Sequence, residues 1–183
     1  MTGDFLDTTP DEWDWIMSIN VDGVITGTRE FLPDLIASGD GHLVNISSLF
    51  GLISVPGQSG YNASKYAVRG FTEAIREEML VGEHPVGVSC VHPGGIKTGI
   101  SRNGRKTVGS DADAIDRLFE EKLAKMEPAR AAQIIVRGIL RDKARVLVGI
   151  DAHLIHHAAK TVGSRYQDVT ARLTKRMMPA RRV

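Results

Sequence analysis

One cysteine in 183 residues leaves the chain without an intrachain disulfide, so burial and hydrogen bonding must hold the fold. That residue, Cys90, sits inside the apolar run VGVSCVHP, the setting of a buried and inert thiol, which suits a reducing compartment. No apolar run approaches the length of a membrane-spanning helix, and the N-terminus MTGDFLDTTP is too acidic and polar for a secretion signal. These absences point to the cytoplasm and away from a membrane partner. Net charge is nearly absent too. The 23 lysines and arginines against 22 aspartates and glutamates leave +1, which offers no electrostatic footprint for nucleic acid.

What is present is ordinary for a globular domain: 42% hydrophobic and 25% charged residues, with no internal repeat and no low-complexity linker. Thr9, Pro10 and Glu12 in TTPDEWDWI spell a capping box with proline at the first helical position, so a helix is expected from there to about Ala37, where SGDG stops it. HLVNISS reads as a buried strand, followed by the loop LFGLISVPGQSG. A helix then begins in SGYNASKYAVRG, with Ala63, Ala67, Phe71, Ala74 and Ile75 as its apolar face and Gly82 as its stop. VGVSCVHP is a second strand ended by Pro-Gly-Gly, and ARVLVGI a third. Between them lie a polar loop from Lys97 to about Ser110, a helix through DADAIDRLFEEKLAKM, and another opened by Pro128. The tail is helical in pattern. Strands separated by long helices imply an α/β architecture with a parallel sheet, and ligands collect beyond the carboxyl ends of such strands. NISS, HPGGIKT and GIDAH should therefore open onto one mouth.

Tyr61 and Lys65 are four residues apart on the second long helix and share one face. An ammonium beside a phenol favours the phenolate, so the lysine is expected to draw the phenol down from about 10 toward a useful range. The pair has company. INVDGV carries Asn20, VNISSLFG carries Ser48, and VHPGGIKTGI carries Pro93, Gly94, Ile96 and Thr98. Of the adjacent serines, Ser48 has the matching spacing; strand alternation would put Ser47 on the opposite face.

In these elements, their order and their spacing, the chain resembles the classical short-chain dehydrogenase/reductase family, from the helix with Asn20 to the strand ARVLVGI. The resemblance implies an NAD- or NADP-dependent oxidoreductase that moves a hydride between nicotinamide and an alcohol or ketone. It makes Tyr61 the general acid/base and Lys65 the group that lowers its pKa and holds the nicotinamide ribose. Ser48 would bond the reacting oxygen and Asn20 would hold a water of the proton relay. The Pro93–Gly94 turn would lie by the nicotinamide, with the Ile96 backbone on the carboxamide and Thr98 on the carboxamide or diphosphate. Members commonly dimerise through the two helices that here carry Asn20 and Tyr61.

The family's opening strand and its Thr-Gly-x-x-x-Gly-x-Gly turn, which binds the cofactor diphosphate, have no counterpart in this sequence. The expectation is therefore the C-terminal part of a Rossmann-like doubly wound parallel sheet, with three parallel strands and flanking helices, as one partial domain over residues 1–183. Such a piece should not bind NAD or NADP usefully alone, and an unpaired edge at HLVNISS should leave it poorly stable. The alternative is a non-catalytic fragment serving as a binding or interaction module.

Other chemistries find weaker footing. A hydrolase elbow needs Gly-x-Ser-x-Gly, and Tyr61 stands at the last position after GQSG. His153, His156 and His157 in DAHLIHH have no evident fourth ligand, so no metal is expected. The tail with Arg172, Lys175, Arg176, Arg181 and Arg182 reads as a solvated or subunit-capping segment. Leu49, Phe50, Leu52, Ile53 and Val55 could line an apolar substrate pocket or serve the core.

Overall fold

In a computed structural model, residues 1–107, 117, 121 and 123–177 are described. Thr9 caps α1 (Pro10–Met17): its hydroxyl accepts from the Glu12 amide at 3.3 Å, and the Glu12 carboxylate returns to the Thr9 amide at 2.9 Å. The helix then widens into a π-type turn, Ser18–Asp22, before continuing as α2 (Gly23–Ala37). One helix to about Ala37 was expected here, with the family resemblance implying a kink at Asn20. The wide turn falls on the segment containing Asn20, a poor residue for a regular helix interior.

Three strands follow, with β1 (Gly41–Ile46) and β2 (Val86–Pro93) joined through α3 (Ser59–Val81), whose C-cap is Gly82. After β2 come α4 (Pro128–Ile139), β3 (Arg145–Val148), α5 (Ile150–Val162) and α6 (Tyr166–Met177). Both strand pairings are parallel and the order is β1-β2-β3, as the alternation of strands and helices requires. The helix read from DADAIDRLFEEKLAKM falls mostly outside the described residues, as do Ser110 at the end of the polar loop and Arg181 and Arg182 of the tail.

Alternation along β1 and β2 divides the core. Leu43 and Val88 turn to α2 and α3, where they pack with Met79, Leu35, Ile36 and Ile75. Val44 and Val91 turn to α4, where Ala131, Ile134, Val146 and Val148 meet them. A third cluster joins Leu49 and Ile53 to Ala152, with Phe50, Val55 and Tyr166 against it. Most of the loop expected to be either pocket wall or core is thus core.

The apolar face read for α3 is not its buried face. Ala74 is exposed, and Ala63, Ala67, Phe71 and Ile75 are half-buried; the stripe in full burial is Ser64, Val68, Thr72 and Met79. Small and hydroxyl-bearing residues are used there because α3 is tied to the sheet by hydrogen bonds. Thr72 Oγ1 accepts from Asn45 Nδ2 at 3.2 Å and donates to the Val68 carbonyl at 2.6 Å. The Ser47 hydroxyl donates to the Lys65 carbonyl at 2.8 Å, and Arg76 donates to the Val88 carbonyl at 3.0 Å. Glu73 receives Arg69 at 3.1 Å and also Arg145 from β3. Burial pushes the Glu73 carboxyl up, but these two guanidinium groups outweigh it and leave the group below the usual carboxylate range.

His92, on the α3 side of β2, has no exposed surface, and burial pushes its imidazole down from 6.5 to about 4. The folded protein thus keeps this ring neutral where the unfolded chain takes up a proton. Its contribution to stability is full above pH 6.5 and is lost as the pH falls toward about 4, below which both states are protonated. The upper limit of the loss is about 3 kcal/mol. Urea unfolding of the chain at pH 7 and pH 4.5 should show this decline, and the difference between the two pH values should be smaller in His92→Asn, which cannot titrate.

Candidate active site

The carboxyl ends of the three strands lie together. β1 runs into Ser47 and Ser48, β2 ends at Pro93–Gly94, and β3 leads through Gly149 to Asp151. The helix that follows the first of these loops, α3, starts at Ser59, so Tyr61 and Lys65 stand in its first two turns beside the end of β1.

The two serines separate by function. The Ser47 hydroxyl is used up on the Lys65 carbonyl. The Ser48 hydroxyl caps a short 3-10 turn, Leu49–Gly51, by accepting from the Phe50 amide at 3.1 Å, and it lies near enough to the Tyr61 phenol to draw its pKa down. Phe50 meets the Tyr61 ring edge-to-face, with centroids 6.2 Å apart, which limits the ring's freedom to rotate away from Ser48. Lys65 Nζ lies 5.7 Å from the centre of the Tyr61 ring and donates to the Ile46 carbonyl at 3.1 Å. An ammonium has three donors, so this bond leaves others to face the mouth.

Electrostatics at the pair differs from the sequence-based expectation. Burial pushes the Tyr61 phenol above its ordinary value, and the Ser48 hydrogen bond pulls it part of the way back. Burial also lowers the Lys65 ammonium. Desolvation opposes charge on both side chains, and the spacing of a helix face carries no information about it.

Asn20 is brought to the same helix. Its amide donates to the Ser64 hydroxyl at 3.0 Å, and that hydroxyl donates to the Tyr61 carbonyl at 2.8 Å. A chain of two hydrogen bonds therefore connects the π-type turn to the backbone of Tyr61. Asn20, Ser48, Tyr61 and Lys65 all converge on the first two turns of α3.

The turn after β2 is shaped by two glycines and by an acid that the sequence reading had not singled out. Asp151 Oδ2 accepts from the Gly95 amide at 2.8 Å. A β-carbon at Gly94 would overlap the Asp151 carboxylate, and one at Gly95 would overlap the Leu123 carbonyl. The Gly94 amide meanwhile donates to the Val148 carbonyl at 2.8 Å. Ile96 bridges to Met126, and Thr98, exposed, donates its amide to the Ile96 carbonyl at 2.9 Å. The only signal for Asp151 was its place in GIDAH at the end of a strand pointing to the mouth.

Two other features stand apart. An open concavity of about 670 Å³, lined in part by Phe5, Val55, Asn62, Tyr66 and Tyr166, lies along a face of α3 away from Lys65. The rings of His153 and His157 stack at 6.4 Å, and among the described residues no group of three histidine, cysteine, aspartate or glutamate side chains could hold a metal ion. Cys90 is buried and its thiol is pushed up to about 11, chiefly by desolvation. No described helix is long and apolar enough to cross a membrane.

Comparison with known proteins agrees with this fold. SadH of Mycobacterium tuberculosis is 52% identical over 164 residues, 90% of this chain and 59% of SadH. The cyclopentanol dehydrogenase of Comamonas testosteroni is 42% identical over 92 residues, 50% of this chain and 36% of that enzyme. The chain thus spans well under two thirds of the length of these curated relatives. Among solved structures, a short-chain dehydrogenase of Streptomyces avermitilis superposes with a TM-score of 0.73 at 28% identity, over 95% of this chain and 64% of that one. An NAD complex of a short-chain dehydrogenase/reductase from Burkholderia phymatum has a TM-score of 0.77 over 100% of this chain and 66% of its own; at 24% identity that likeness is one of fold. The family description "short chain dehydrogenase" matches residues 1–109, the span that contains Asn20, Ser48, Tyr61, Lys65 and the Pro93–Thr98 turn. The parallel sheet, the relatives and this match have one common explanation: the chain belongs to the short-chain dehydrogenase family.

Proposed function

We propose that the protein is a nicotinamide-dependent oxidoreductase acting on a secondary alcohol or ketone, with Tyr61 as its general acid/base. The observation that carries this reading is the convergence of Ser48, Tyr61 and Lys65 at the carboxyl end of β1, with Lys65 Nζ 5.7 Å from the centre of the Tyr61 ring. In that reaction NAD or NADP supplies or accepts the hydride. The chain's own residues handle the proton and the oxygen. Removing a hydride from a carbinol carbon requires its hydroxyl proton to leave as well, and Tyr61, once deprotonated against the burial that disfavours its phenolate, is the acceptor we propose for it. Ser48 can turn its hydroxyl toward the same oxygen and stabilise the charge that develops there. Asn20 and Ser64 hold the Tyr61 backbone, and holding a water of the proton relay is the further role proposed for Asn20.

The residues present suit the nicotinamide end of the cofactor. The Pro93–Thr98 segment stands at the carboxyl end of β2, braced by Asp151 and Leu123 against its two glycines, and Lys65 has ammonium donors beyond its Ile46 bond for ribose hydroxyls. Cyclopentanol, the substrate named for the Comamonas relative, is a small apolar secondary alcohol and a fitting first test compound. We also propose a homo-oligomer. The helices that the family resemblance assigns to dimerisation are present, and Phe31 on α2 and Ala74 on α3 are exposed.

In the whole protein, Tyr61→Phe should lower kcat by about 10²–10⁴-fold with cofactor affinity nearly unchanged. Lys65→Ala should weaken both, because it acts on cofactor and on proton transfer. Steady-state rates with a panel of secondary alcohols, paired with fluorescence titration of NADH and NADPH, measure the two effects. Turnover by Tyr61→Phe within tenfold of the parent would remove Tyr61 from the chemistry. Sedimentation should show a species larger than the monomer, shifted toward monomer by Phe31→Asp.

A further inference from the structure

The end of the β1–β2 pairing has an unusual composition. The Ser47 amide donates to the Val91 carbonyl at 2.8 Å, and in a parallel ladder the next bond would come from the amide of residue 93. Residue 93 is proline and has no N–H. The ladder must stop there, just where Ser48 has to be held. One residue farther along, the Ser48 carbonyl has a different partner: His92 Nδ1, at 2.9 Å.

The chemistry of that contact determines the ring's state. A carbonyl oxygen can only accept, so Nδ1 must carry the proton. His92 is wholly buried, and its Nε2 has no partner, which is the cheaper arrangement for a ring whose other nitrogen is the donor. Burial keeps the ring neutral, so a single donor faces a single carbonyl. Ser48 itself is in extended backbone and starts the turn that leaves its hydroxyl beside the Tyr61 phenol, whose pKa it lowers.

We propose that His92 is a positioning residue for Ser48: its Nδ1–H, bonded to the Ser48 carbonyl, replaces the rung that Pro93 removes and so aims the Ser48 hydroxyl at Tyr61. This rests on the active-site reading above. It goes beyond that reading in giving the VHPG segment a second duty. Pro93–Gly94 shapes the turn at the mouth, and the residue before it secures the serine across the strand gap.

The test uses the full chain labelled with ¹³Cζ-tyrosine, the Tyr61 signal being assigned from its loss in Tyr61→Phe. Ser48→Ala should move the Tyr61 titration upward by about 0.5 to 1 in pH, the effect of one lost hydrogen bond. His92→Leu should move it in the same direction, and the double variant should move it no farther than Ser48→Ala alone. His92→Asn can place an amide donor where Nδ1 stood and should restore the parent titration. Equal shifts in His92→Leu and His92→Asn would mean lost packing and overturn the proposal. So would a His92→Leu shift that persists undiminished when Ser48 is alanine. A silent His92→Leu beside an active Ser48→Ala overturns the role of His92 alone, whereas a silent Ser48→Ala overturns the active-site reading and this proposal with it. Should His92→Leu not fold, ¹⁵N NMR of the unaltered chain at pH 7 decides: a proton on Nδ1 of His92 is expected, and a proton on Nε2 instead overturns the proposal.

Discussion

Helix α3 is held against β1 and β2 by hydrogen bonds as much as by apolar contact, and the rest of the site depends on that attachment. The Thr72–Asn45, Ser47–Lys65 and Arg76–Val88 bonds run from helix to sheet through the middle of the helix, from Lys65 to Arg76. Apolar packing alone would tolerate a small slide of the helix along its axis, because aliphatic contacts are non-directional. Directional bonds at successive turns remove that freedom. Tyr61 and Lys65, near the start of the helix, inherit a fixed height above the strand ends.

The same attachment sets the electrostatics. Bringing α3 close to the sheet buries Tyr61 and Lys65, and desolvation then disfavours the charged form of each. The Ser48 hydroxyl is the polar group beside the phenol that works against this. A proton-transfer pair built in this way is sensitive to a small displacement of Ser48, since hydrogen-bond strength falls steeply with misalignment. The end of β1 is accordingly secured on every side: Ser47 to α3 and to Val91, Ser48 to His92 and to Phe50. Asp151 does the equivalent at the end of β2 by holding the Gly95 amide.

Elements governed by local chemistry were legible in the amino-acid order. The capping box at Thr9, the stop at Gly82, the span of β2 and the helix opened by Pro128 all come from interactions within a few residues, and each appears in the fold where it was read. Elements governed by partners distant in sequence were not. The apolar stripe of α3 suggested Ala63, Ala67, Phe71, Ala74 and Ile75 as its inner face; Ile75 does pack on the core, but the fully buried stripe is Ser64, Val68, Thr72 and Met79, because hydroxyls can be buried wherever the strand offers them partners. The break at Asn20 was legible only as an asparagine out of place in a helix interior, for which the family resemblance implies a kink; its form as a wide turn was not.

By itself the sequence determined that Tyr61 and Lys65 share a helix face, that strands and helices alternate into a parallel sheet, and that Pro93 ends a strand. These follow from helical repeat, hydrophobic pattern and the missing N–H of proline. Only the tertiary structure decided that burial raises the Tyr61 phenol, that His92 meets the Ser48 carbonyl and that Asp151 braces the glycine turn. Each of these joins residues brought together by folding from separate elements, and desolvation and long-range hydrogen bonds exist only once those elements have packed.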